Sequence, residues 1–216
     1  MKHPLRGKHS LVVAFAVLLA GFLHQLEAHA VPASGVACHF VGRAYLNPGG
    51  QGEVVGYFSD ITGISGALFN GTPGESTAFF TFRSDVFSLT PLPGNGDVGL
   101  DLVSAGTFSV YFNPTPNGNW SNPDTFSSGQ LVAKFTRTQT LFLQIGPVSQ
   151  HVLTERLASS QSFTFNGNEY NFNRLVPGGI TLNEFFSNTG VPGVTNFPVG
   201  LAFAGNGTAL AGHSDD

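Results

Sequence analysis

The chain has one cysteine, Cys38, so no disulfide can form within it. A fold built on it must be held together by its core, and an unpaired thiol in such a chain is most often a small buried apolar group. Positive charge is also scarce. Beyond residue 30 the cations are Lys134 and five arginines, Arg43, Arg83, Arg137, Arg156 and Arg174. Twelve of the thirteen carboxylates fall in the same stretch, so its formal charge is 6 − 12 = −6. Nucleic acid requires clustered cations against its phosphates, and anionic lipid requires a basic patch. Both partners are excluded by this composition.

Motifs of chemistry are missing as well. The histidines beyond residue 30 are His39, His151 and His213, no two of them at metal-ligand spacing. The chain has no G-x-S-x-G elbow. Cys38 and His39 are strand neighbours that point to opposite faces and make a poor dyad. Gly94-Asn95-Gly96-Asp97 has half the ligands of a calcium loop and reads as a tight turn. No metal and no cofactor is implied. His151 is expected at a solvated strand end, with a general base as the alternative. Glu155-Arg156 is expected in a surface ion pair with a cross-strand neighbour, which contributes little, with lumen chemistry in a barrel as the alternative. Glu53, Asp60, Asp85, Asp101, Glu155 and Glu169 leave a carboxylate pair open, at separations the sequence does not give.

The N-terminus carries a targeting pattern. Lys2, Arg6 and Lys8 precede an apolar run over 11–23, shorter than the ~20 residues that span a bilayer. Ala28-His29-Ala30 supplies small residues where a signal peptidase cuts. The expectation is a cleaved leader over 1–30, a secreted or periplasmic protein without a stable membrane anchor, and a single domain over 31–216.

What the domain does contain is glycine and phenylalanine, with nineteen of twenty-one phenylalanines beyond the leader. Short β-branched and aromatic runs alternate with Gly, Pro and Asn, the pattern of an all-β domain. In one hairpin, Ser162–Phe165 meets Asn168–Phe172 across Asn166-Gly167, the dipeptide of a two-residue I′ turn. That register gathers Phe163, Phe165, Tyr170 and Phe172 on one face. A second hairpin is expected to turn at Ser104-Ala105-Gly106. It would pair Leu102 with Phe108 and Leu100 with Val110, burying Val98, Leu100, Leu102, Phe108, Val110 and Phe112 and leaving Asp101 outside. Further strands are expected over 37–46, 53–59, 76–83, 86–90, 130–138, 141–145, 152–157 and 197–203. Thr181-Leu182-Asn183-Glu184 has the spacing of a capping box and predicts a short helix through Phe185-Phe186, ending at Gly190. Ten to twelve short strands favour an antiparallel β-barrel over a sandwich, since closure removes edges that a lysine-poor chain cannot guard.

Two long irregular segments, 113–129 and 176–196, stand out as places where function gathers. They supply Trp120, Phe185 and Phe186 as candidate ligand-binding residues, whose rings offer contact area beside oriented amides. The expected function is non-catalytic binding of an apolar small molecule or a protein surface by an exported barrel. An exported barrel enzyme of cyclase or isomerase type is the alternative. A structural or adhesive matrix protein is the third. A deep cavity with a few inward polar groups separates the first two from a dry, filled core.

Overall fold

The structure, a computed structural model, describes residues 30–96, 98–145 and 148–212. The leader and most of its cleavage motif, with Asp97 and His213, lie outside these residues. The first strands are β1 (Val36–Leu46), β2 (Gln51–Ile61), β3 (Phe80–Ser84), β4 (Phe87–Asn95), β5 (Val98–Val103) and β6 (Thr107–Phe112). After a 3₁₀ turn at Pro123–Ser127 come β7 (Gln130–Ile145), β8 (Val148–Ser160), β9 (Phe163–Phe165) and β10 (Asn168–Tyr170). A four-residue helix, α1 (Phe172–Leu175), precedes β11 (Ile180–Val194) and β12 (Phe197–Ala209).

Eight of these strands close a barrel, each antiparallel to the next, in the circuit β1-β2-β3-β6-β7-β8-β11-β12 and back to β1. Alternation drives the closure. Phe40 and Ala44 of β1, Phe82 of β3, Phe108 and Val110 of β6 and Leu182 of β11 are buried at every second position. Each such strand must turn that face inward, and a closed sheet satisfies all of them at once.

The Asn166-Gly167 hairpin forms in the expected register, Phe165 opposite Asn168 and Phe163 opposite Tyr170, with positive φ at both turn residues. Its aromatic face closes the lower end of the lumen. The rings of Phe163 and Phe165 stand 5.5 and 5.2 Å from that of Phe80.

The other expected hairpin does not form. β5 and β6 run one after the other along β7, with Leu102 opposite Leu141 and Thr107 opposite Thr136. On their other side β3 and β4 do the same, with Ser84 opposite Phe108 and Leu89 opposite Val103. The two pairs are therefore one long interrupted hairpin, whose turn lies at Gly96 with φ +65°. Ser104-Ala105-Gly106 is a break within its second arm. The faces change accordingly: Leu102 is exposed beside Leu141, and Asp101 shares the side of its β7 partner Phe142.

The helix expected at Thr181–Glu184 is also absent, because those residues lie in the first half of β11, and most of 176–196 is strand rather than loop. β8 and β12 pair β11 on both sides and satisfy its N–H groups, so the capping box has no role. The strands expected over 130–138 and 141–145 are one strand, β7.

Within the lumen phenylalanine lies against glycine. Gly42 stands opposite Phe203, Gly56 opposite Phe82 and Gly205 opposite Phe40. A Cβ on Gly42 or Gly56 would collide with the ring across from it. Phe82 sits at the centre, its ring 5.8, 5.4 and 5.1 Å from those of Phe40, Phe58 and Phe108. The filling is close to complete here, and a lumenal pocket beside Cys38, Phe58 and Phe135 amounts to only about 20 Å³.

Candidate functional site

One sector of the lumen is polar. Arg137 and Thr140 of β7, His151 and Glu155 of β8 and Glu184 of β11 all point inward and are at most 5 % exposed. Strand alternation puts them there. His151 and Glu155 share a face with Leu153 and Leu157, and Glu184 lies between Leu182 and Phe186 on the inner face of β11. A β-bulge between Arg137 and Gln139 turns both Arg137 and Thr140 inward although they are three residues apart.

Two cross-strand pairs result. Arg137 Nε lies 3.8 Å from Glu155 Oε1, and His151 Nδ1 lies 3.1 Å from Glu184 Oε2. Arg137 Nη1 also donates to Ser104 O at 3.3 Å. Among the described residues, five buried atoms have no hydrogen-bond partner: Arg137 Nε, Thr140 Oγ1, His151 Nε2 and both Glu155 oxygens. Burial pushes the Glu155 carboxyl up to about 8, with Arg137 pulling it down and Glu184 pushing it up. At neutral pH that carboxyl is mostly a neutral acid, able to donate a proton. The surface placement expected for both residues is overturned. Glu155 does face a cross-strand cation, Arg137, but in the lumen and not on the surface, and His151 is an interior residue, because an even strand spacing carries both inward with their leucine neighbours.

The wall beside this cluster is open. Ladder pairing between β5 and β7 ends at Leu102–Leu141, and that between β6 and β7 begins at Thr107–Thr136. Between them Arg137 N donates to Gly106 O, while Ser104 turns away to bond Ser88. The gap holds a groove of about 330 Å³ with Leu102, Leu141 and Val103 on its sides, which Arg137 and Thr140 also line. This volume is at the small end of the usual range for ligand sites, roughly 300–1,000 Å³. Arg137 and Thr140 are thus reached from the side of the barrel.

The three residues singled out in the sequence do not come together. Trp120 lies on the outer wall of β1 and β2, neither in a pocket nor plugging an end. Tyr45 Oη donates to its carbonyl at 2.6 Å, its ring is 4.8 Å from that of Phe126, and the Arg43 guanidinium covers it at 4.7 Å. This clasp buries Tyr45 and Val55 on the outside of the barrel and holds down segment 113–129. Phe185 points outward and is 56 % exposed. Phe186 alone meets the polar sector, its ring 5.0 Å from His151 and 6.1 Å from Phe142. Cys38 is buried, its thiol pushed up to about 12 by burial, while His39 faces outward.

Among the described residues no three His, Cys, Asp or Glu side chains gather as a metal site. Fold and site together define a closed antiparallel barrel with a polar cluster behind a gap in its wall. Compared with known proteins, the chain matches no family model, no curated protein and no solved structure.

Proposed function

We propose that this protein is an exported barrel that binds a small amphipathic molecule in the wall groove, its polar end toward Arg137 and Thr140 and its apolar body against Leu102 and Leu141. One observation carries the reading: partnerless, fully buried polar atoms lie behind a groove with apolar sides. Unpaired polar groups are costly to bury, and a ligand that supplies their partners recovers that cost. The filled lower lumen argues against a large lumenal guest.

The test is an amide-shift titration with octanol and octanoate. Shifts should concentrate at Ser104, Ala105, Thr138 and Leu141. Shifts elsewhere, or none with either compound, would remove the reading. Export belongs to the same proposal and rests on the N-terminal pattern. Intact-mass measurement of protein recovered outside the cytoplasm should find Val31 first, and retention of Met1 would refute it.

A second reading, acid–base catalysis on the bound molecule, is favoured by the raised Glu155 carboxyl and by an imidazole that Glu184 orients. It predicts that 2-octanone in heavy water exchanges the hydrogens beside its carbonyl faster with the protein than in buffer, and that Glu155→Gln abolishes the gain. Exchange at the buffer rate would leave binding alone.

A further inference from the structure

The groove has a sign of charge as well as a shape. Arg137 is 5 % exposed and arginine keeps its charge across the accessible pH range, so a counter-charge is needed beside it. The groups facing it do not provide one in full. Glu155, its cross-strand partner on β8, is 3.8 Å away and holds its proton at neutral pH. Glu184 on β11 is engaged by His151 of β8. Cys38 on β1, on the far side of Glu155, stays neutral. Asp85, before β4, accepts from Thr107 Oγ1 at 2.7 Å. Ser104 O offers Nη1 a neutral carbonyl only. A buried guanidinium whose Nε has no hydrogen-bond partner among the described residues, and which lies 5.5 Å from the Phe87 ring, therefore borders an apolar groove, with the Thr140 hydroxyl, likewise without a partner, beside it.

We propose that the groove is a site for the carboxylate of an amphipathic monoanion, its oxygens accepting from the Arg137 guanidinium and the Thr140 hydroxyl while its acyl or aryl body lies on Leu102 and Leu141. The inference rests on the groove reading above and names its ligand class. Charge-assisted hydrogen bonds of this kind are about twice as strong as neutral ones, so an acid binds where the matching alcohol binds weakly. Glu155 couples the site to protons. While protonated it leaves the guanidinium to the ligand; once ionised it competes for the same guanidinium. Affinity for an anion is therefore full below a pH of about 8 and falls above it.

Calorimetry of the 31–216 chain with octanoate and octanol tests this at pH about 6.5 and about 9.5, where octanoate is ionised throughout. At the lower pH octanoate should bind at least about tenfold tighter than octanol, and it should lose at least about fivefold at the higher pH while octanol is unchanged. Glu155→Gln should keep octanoate affinity and lose its pH dependence. Equal binding of the two compounds would overturn the anion site yet leave the groove reading standing. An octanoate preference that ignores pH would overturn the role of Glu155. Absence of binding by both would overturn the groove reading itself. The wild-type measurements decide these outcomes even if the variant does not fold.

Discussion

The lower lumen and the β7–β8–β11 sector are built on the same alternation but filled with different chemistry. Around Phe82 the inward side chains Phe40, Phe58 and Phe108 are aromatic, rings meet glycines, and the remaining space is close to the volume of a single water. Across the barrel, on β7, β8 and β11, the inward positions include Arg137, Thr140, His151, Glu155 and Glu184, with five atoms that have no hydrogen-bond partner among the described residues. A core that packs phenylalanine this well has no packing need for a buried guanidinium and two carboxyls. Replacing such groups by apolar ones is commonly neutral or stabilising. The polar sector is thus where the molecule gives up stability, and departures of that kind gather at working sites.

The contrast can be broken most forcefully at Glu155. The folded state raises its carboxyl from the ordinary 4.5 to about 8, so the unfolded chain releases this proton first as pH rises. Stability therefore falls between pH 4.5 and 8 and stays low above. At 1.36 kcal/mol per unit the loss approaches an upper bound of about 5 kcal/mol. Glu155→Gln carries no such loss. Denaturant melts should find it more stable than wild type at pH 9, by several kcal/mol at most, with the gap closing near pH 5. A gap that does not change with pH would end the assignment.

The filled region should answer in the opposite sense. Phe82→Ala removes the ring at the centre of the aromatic core and should destabilise by ~3–5 kcal/mol at every pH. A loss under ~1 kcal/mol would mean that this core is not close-packed. The smallest effect belongs to Thr140→Val, which deletes a buried hydroxyl without a partner and keeps the shape. Stability should stay level or rise by about 1 kcal/mol, while octanoate binding weakens. A clear loss of stability would show that the hydroxyl is satisfied within the protein.

How far the sequence could be read depended on the range of the interactions. The turn and register of the Asn166-Gly167 hairpin are legible in the sequence, because they lie within a few residues of each other, although its return strand ends at Tyr170 and Phe172 opens α1 instead of extending it. So is the barrel, from strand number and the scarcity of charge. The break at Ser104–Gly106 has the composition of a turn and reads as one from the sequence. What decides against it is β7, far along the chain, which pairs residues on both sides of the break. The Thr181–Glu184 box failed in the same way, since the period-two run Ile180, Leu182, Glu184, Phe186 was the stronger signal once β8 and β12 flanked it. The polar cluster was missed by applying the surface default to single charges. Reading His151, Leu153, Glu155 and Leu157 as one face would have carried both ionisable residues inward.

The pairing of ring with glycine across the barrel also constrains how this sequence can change over time. A side chain cannot appear at Gly42 while Phe203 remains, nor at Gly56 while Phe82 remains, because the ring already occupies the place of the missing Cβ. Gly56 and Gly205 are also met by backbone oxygens, of Val41 and Asn183, so shrinking the ring frees neither, whereas Gly207 and Cys38 are coupled as Gly42 and Phe203 are, the sulfur sitting where a Cβ would go. Such positions can drift only as couples, the small partner growing as the large one shrinks. Descendants of a common ancestor that kept this barrel should therefore show compensating exchanges at 42 with 203 and at 38 with 207, and glycine held at 56 and 205, a fingerprint of shared descent that outlasts overall identity.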